Sequence, residues 1–185
     1  KLYEGRKVME LEIGPSKRAN SGYSFHDVAI VPSRRTRVPE EVSTKWQIDA
    51  YKFEMPIMAA PMDSVVSPDT AIAIGKLGGL GVLNLEGLWT RHENPRIALG
   101  EIASMPEKNA IRRMQELYAA PIQPELIKAR IGEIRAAGVT VAAALSPQRT
   151  AELAKTVIDA GVDLFVIRGT TVSAEHVSST TEPLN

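Results

Sequence analysis

Two stretches of this chain follow one pattern: a short apolar run, a Ser-Pro pair, an amphipathic segment, glycine, and a second apolar run. In the first, Pro56 to Ala60 (PIMAA) lacks polar alternation, as expected of a strand covered on both faces in a parallel sheet. Ser67 is placed as a helix N-cap, Pro68 sits at the first helical position where its missing N–H costs nothing, and Asp69 complements the positive end of the helix dipole. Gly78 and Gly79 stop that helix, and Leu80 to Leu83 reads as the next strand. The pattern returns at Val139 to Leu145, with Ser146 and Pro147 opening a helix, Gly161 ending it and Asp163 to Ile167 following as a strand. Ala151, Ala154, Val157 and Ile158 predict the inward stripe of that second helix, with Lys155 and Asp159 outside it. Between the two units, Asn109 to Tyr118 and Pro124 to Ala137 read as helices, the latter terminated by Gly138.

Strands alternating with helices over short connections predict an α/β fold with a parallel sheet. Four strands do not close a barrel. An open doubly wound sheet is the alternative, but TTEPLN reads as a helix entry, with Thr181 or Glu182 before Pro183, and a half-barrel leaves strand edges unpaired. The expectation is therefore the first half of a (β/α)8 TIM barrel: residues 1–50 as an N-terminal lead-in, 51–185 as the first four βα units of one catalytic domain.

Composition narrows the functional classes. The 185 residues are 44% hydrophobic and 24% charged, which is ordinary for a globular domain. Lys plus Arg and Asp plus Glu balance at 22 each, so no global field draws the chain to nucleic acid or to an anionic membrane. The N-terminus has no apolar signal-peptide core and no apolar run approaches a membrane span, which makes the cytoplasm the default location. With no cysteine, disulfides and thiolate chemistry are excluded within these residues.

PIMAAPMDSVVSP followed by GGLGVLN resembles the start of the barrel in the IMP dehydrogenase and GMP reductase family. Upstream, YSFHDVAIVPSRRTRVPEEVS is similar to that family's N-terminal segment, with Phe25, Asp27, Val28, Val31 and Pro32 at matching positions. PSRRTR and WQIDAYKFEMP resemble a paralogue group common in actinobacteria. The resemblance implies a TIM barrel binding a purine nucleotide at the C-terminal ends of its strands. It puts Ala60, Met62 and Asp63 at the substrate, with the Met62 thioether against the purine base; a gap-filling role in the core is the alternative for Met62. Ala60 stands where many members carry a nucleotide-contacting serine.

The same resemblance puts Asn84, Arg168, Gly169 and Thr170 at the dinucleotide. Asn84 stands where IMP dehydrogenases commonly have a histidine, and Arg168 where the family usually has an aspartate for the nicotinamide ribose. Arginine offers only donors, so it suits a phosphate or carboxylate rather than ribose hydroxyls; a structural ion pair is the alternative. The span from Leu88 to Gly138 is too short for the CBS modules that many IMP dehydrogenases insert.

The implied activity is oxidation of IMP to XMP with NAD. The cysteine nucleophile, the phosphate site and any monovalent-cation site are expected outside these residues, so no catalytic residue is expected in this chain and the chain alone is expected to be inactive. NADPH-dependent reduction of GMP to IMP, with NADP as cofactor, is the nearest alternative, and a non-catalytic purine-nucleotide-binding barrel is the third. Family members are commonly tetramers, for which Trp46 and Trp89 are candidate interface anchors, with buried core positions as the alternative.

Other features carry less. The glycines Gly75, Gly78, Gly79, Gly81 and Gly87 follow a helix rather than open one, which fits caps and tight passages better than a dinucleotide fingerprint. Arg34, Arg35 and Arg37 read as a solvated loop, with an oligomer or phosphate contact as alternatives. His26, His92 and His176 lack metal-ligand spacing, so no metal site is expected.

Overall fold

The computed structural model describes the backbone of residues 10–14 and 17–20, and residues 23–24, 26–31, 35 and 37–169 with their side chains. Phe25, Pro32, Arg34, Thr170, His176 and the Thr181 to Pro183 helix entry lie outside the described residues. The chain divides into two units, residues 1–43 and 44–185. The first holds an antiparallel hairpin, β1 (Glu10–Gly14) and β2 (Lys17–Asn20), with a bulge between Glu12 and Gly14. Asp27 there accepts from the backbone N–H and hydroxyl of Ser24, which hold its carboxyl below the ordinary aspartate value. Arg35 and Arg37 are exposed.

The second unit opens with a hairpin that the sequence reading missed, β3 (Trp46–Ile48) and β4 (Tyr51–Phe53), in the register Trp46 to Phe53. Its two-residue turn places Asp49 at φ 48°, which aspartate tolerates better than most residues. Then follow β5 (Met58–Ala59), α1 (Pro68–Lys76), β6 (Leu80–Asn84), α2 (Pro95–Ser104), α3 (Glu107–Tyr118), α4 (Pro124–Ala136), β7 (Ala142–Leu145), α5 (Pro147–Asp159) and β8 (Leu164–Ile167).

The four strands β5 to β8 form one parallel sheet in strict chain order. A doubly wound sheet reverses its order at a switch point and carries helices on both faces. Here α1, α4 and α5 all pack on one face, through Ala71, Ile127, Ile131, Ile134, Leu153 and Val157 against Leu83, Val141, Ala143 and Leu145. The other face, built from Leu80, Val82, Ala142 and Ala144, meets Trp46 and Phe53 of the hairpin. Order and one-sided helices are those of a barrel wall, so the fold is the α/β arrangement of a partial (β/α)8 barrel.

Local chemistry explains the elements. Ser67 and Thr70 form a reciprocal capping box at the start of α1, with Thr70 N–H donating to Ser67 Oγ at 3.1 Å. Gly78 and Gly161 end α1 and α5 at φ 87°, where an L side chain would be strained.

Some expectations need correction. Only Met58 and Ala59 of the Pro56 to Ala60 run pair, and Ile57 and Met58 are half-exposed, because β5 has a single neighbour. The same holds for β8, an edge strand only partly covered, whereas β6 and β7 are buried throughout. The buried stripe of α5 is Thr150, Leu153 and Val157, while Ile158 is 62% exposed, so the helix is rotated from the expected face. Ser146 occupies the N-cap position of α5 without a side-chain cap bond, because its hydroxyl donates to Glu86 instead. Helix α2, opened by Asn94 and Pro95, was also missed.

Candidate functional site

The C-terminal ends of the strands carry the loops that reach furthest from the core, and a cavity of about 460 Å³ opens there. It is lined by Pro61 to Ser64 after β5, Asn84 and Leu88 at and after β6, Arg168 after β8, Leu99, Ile102 and Ala103 of α2, and Met114 and Tyr118 of α3.

Asp63 organises this end. Its carboxylate accepts the Leu88 N–H at 2.7 Å, the Tyr118 hydroxyl at 2.5 Å and the Asn84 amide at 3.4 Å. The approach depends on Gly87, where a Cβ would collide with the carboxylate itself. Burial first, and then the hydrogen bond and charge of Asp63, push the Tyr118 phenol well above its ordinary pKa. Tyr118 therefore stays a protonated donor at any physiological pH.

Asn84 is 8% exposed and bonded at both ends of its amide: the NH2 donates to Asp63 and the carbonyl accepts the Glu86 N–H at 3.2 Å. Glu86 accepts from both the N–H and the hydroxyl of Ser146, at 2.7 and 2.9 Å, tying the end of β6 to the start of α5. A carboxylate at that helix start also answers the helix dipole.

Arg168 reaches from the end of β8 to the loop after β5, where Nη1 donates to the Pro61 carbonyl at 3.0 Å. Its link there is to a carbonyl, and among the described residues it makes no ion pair. Arg168 is exposed and lines the cavity. Met62 is 49% exposed and lines the cavity.

Met62, Asp63, Asn84 and Arg168 thus converge on one cavity although up to 106 residues separate them, 168 − 62. Ala60 stands just before the lining and accepts the Met62 N–H through its carbonyl at 2.8 Å. Gly169 sits behind Arg168 against Pro147. The sequence reading missed Tyr118, Met114, Leu88, Leu99 and Ile102. A signal existed in Ile111, Met114 and Tyr118, apolar positions spaced along one side of an otherwise charged helix. Trp89 is buried in the core, with Arg96 and Arg130 over its ring, and so is no surface anchor in this unit. His92 bonds the Leu117 carbonyl at 3.0 Å, and among the described residues no group of three His, Cys, Asp or Glu could hold a metal ion.

Residues 22–184 match the family profile described as the IMP dehydrogenase / GMP reductase domain. The chain belongs to this family. Uncharacterized oxidoreductases of Mycolicibacterium smegmatis and Mycobacterium tuberculosis are 49% and 50% identical to it over 180 residues, covering 95% of this chain and 48% of each relative. The inosine-5'-monophosphate dehydrogenase of Methanocaldococcus jannaschii is 36% identical over 66 residues, which is 36% of this chain and 13% of that protein. Among solved structures, an IMP dehydrogenase/GMP reductase-like protein from Corynebacterium glutamicum superposes with a TM-score of 0.78 at 47% identity, covering 91% of this chain and 46% of its own. The chain spans about half the length of the curated relatives it matches. Membership makes it a chain of an oxidoreductase family, and no helix among the described residues is long and apolar enough to cross a membrane.

Proposed function

We propose that this chain supplies the first four βα units, and one wall of the nucleotide site, of an oxidoreductase that converts IMP to XMP with NAD. The observation that carries the reading is the convergence of Met62, Asn84 and Arg168 on one strand-end cavity in a chain of this family. Its volume lies in the usual range for small-molecule sites, roughly 300 to 1,000 Å³. The half-exposed Met62 suits a flat purine, since a thioether is soft and polarizable. Arg168, donor-only and lining the cavity, suits a phosphate of the dinucleotide. NAD bound there would supply the hydride-accepting chemistry, while these residues would bind and orient it. The nucleophilic cysteine that the family resemblance implies would come from outside these residues, since they contain none. The working protein in this reading is a cytoplasmic homotetramer without CBS modules.

The test uses the full-length protein. IMP and NAD are mixed with it and NADH is followed by absorbance; a rise that requires both nucleotides is the expected result. No NADH, with NADPH consumed when GMP is supplied, would move the assignment to a GMP reductase. Purine binding without turnover of either pair would leave a nucleotide-binding barrel.

A further inference from the structure

We propose that the α2–α3 excursion is a ligand-gripping wall, in which Met114 and Tyr118 hold a planar heteroaromatic ring in the cavity that Met62 also lines. The proposal rests on the reading of the cavity as the nucleotide site. Helix α3 has a charged outer side, with Arg112, Arg113 and Glu116 in ion pairs, so its apolar positions belong on the covered side. Yet Met114 and Tyr118 each remain 39% exposed, and both line the cavity. Only Leu117 of this helix is buried. This helix thus presents a thioether and a phenol ring to the cavity.

The two residues are held differently. The Tyr118 hydroxyl is anchored by Asp63, which Leu88 N–H and the Asn84 amide hold in turn. Met114, with three rotatable bonds, adapts to whatever lies against it. Asp63 already accepts from three donors, leaving flat-face contact as the principal recognition on this side. A planar heteroaromatic ring is the matching chemistry, and it has two sources, the purine of the substrate or the nicotinamide of the dinucleotide.

The experiment is calorimetric binding of IMP, nicotinamide mononucleotide and ribose 5-phosphate to the full-length protein and its Met114→Ala, Tyr118→Ala, Tyr118→Phe and Arg112→Ala variants. Met114→Ala is expected to weaken one ring-bearing ligand about five- to tenfold and Tyr118→Ala at least as much. Ribose 5-phosphate should bind unchanged, Tyr118→Phe should lose less than Tyr118→Ala because the ring is kept while its anchor to Asp63 is lost, and Arg112→Ala should match wild type. Loss confined to IMP assigns the wall to the purine, and loss confined to nicotinamide mononucleotide assigns it to the cofactor. Unchanged affinity of both rings in Met114→Ala and Tyr118→Ala overturns the proposal while sparing the site. A parallel loss of ribose 5-phosphate also overturns it, because the cavity has then collapsed rather than lost a ring contact. If wild type binds neither ring-bearing ligand, the nucleotide site itself falls, and the wall with it.

Discussion

Each end of the parallel sheet carries a tyrosine bonded to an aspartate, and the two pairs differ in what surrounds them. At the N-terminal end, Tyr51 of the β3–β4 hairpin meets Asp163 at 3.4 Å. That carboxylate also accepts the Val141 N–H at 2.8 Å and lies 3.7 Å from the Arg135 guanidinium. Trp46 stacks on Phe53 beside the pair, ring centroids 4.5 Å apart, and both pack on Leu80, Val82, Ala142 and Ala144. At the C-terminal end, Tyr118 donates to Asp63 beside a cavity. One pair closes a core and the other borders an opening. The same two residue types serve adhesion where apolar rings surround them and site geometry where they face free space.

The comparison breaks most visibly at Phe53. Phe53→Ala removes a buried ring and its stacking partner's support, and is expected to cost about 3–5 kcal/mol in urea unfolding. The molecules that remain folded should bind IMP with wild-type affinity, and a matching loss of affinity would show that the two ends are not separable. Gly87→Ala attacks the other end, because the added Cβ displaces the Asp63 carboxylate. A destabilisation of about 2–3 kcal/mol is expected there, together with weaker nucleotide binding. Wild-type binding in that variant would mean that Asp63 does not shape the cavity.

Tyr118→Phe is gentler. It deletes one donor to a carboxylate that keeps two others, so about 1 kcal/mol or less is expected from chemical denaturation. The smallest effect is on titration. The Tyr118 phenol is raised by burial and by Asp63, so its contribution to stability is complete below the ordinary phenol pKa of about 10 and is lost as pH climbs through the higher folded value. Tyr51 is raised as well, by burial and then by Asp163, so its contribution is likewise lost in alkali. Ultraviolet titration of wild type against Tyr118→Phe should show the missing phenol among the last to ionise. Its disappearance from the early part of the curve would contradict the bond to Asp63.

What was legible in the sequence was what local chemistry writes. The Ser67-Pro68 and Ser146-Pro147 starts, the Gly78 and Gly161 stops and the buried β6 run appear where the pattern placed them, while β7 begins at Ala142 rather than Val139. Three-residue strands such as β3 and β4 are too short to show alternation, and their stability comes from packing on the sheet face. The α5 stripe was misjudged because alanines on a helix do not distinguish one side from its neighbour, whereas Leu153 and Thr150 in fact turn inward. The strand-end residues Met62, Asn84 and Arg168 were named by resemblance, and they line one cavity. Tyr118 was not, since its partner Asp63 lies 55 positions away and only the folded chain brings them together.

The chain contains two tryptophans, and each belongs to a different end of the sheet. Trp46 is half-buried and donates its indole N–H to the Met55 carbonyl at 2.7 Å. Trp89 is buried, its indole nitrogen has no hydrogen-bond partner among the described residues, and guanidiniums stand 5.7 and 5.8 Å from its ring centroid. Their emission should differ accordingly, with Trp89 shifted to the blue of Trp46. Replacing either one with phenylalanine would leave the other to report on its own end of the sheet, so that loosening of the hairpin end and of the strand C-terminal end could be followed in two separate titrations.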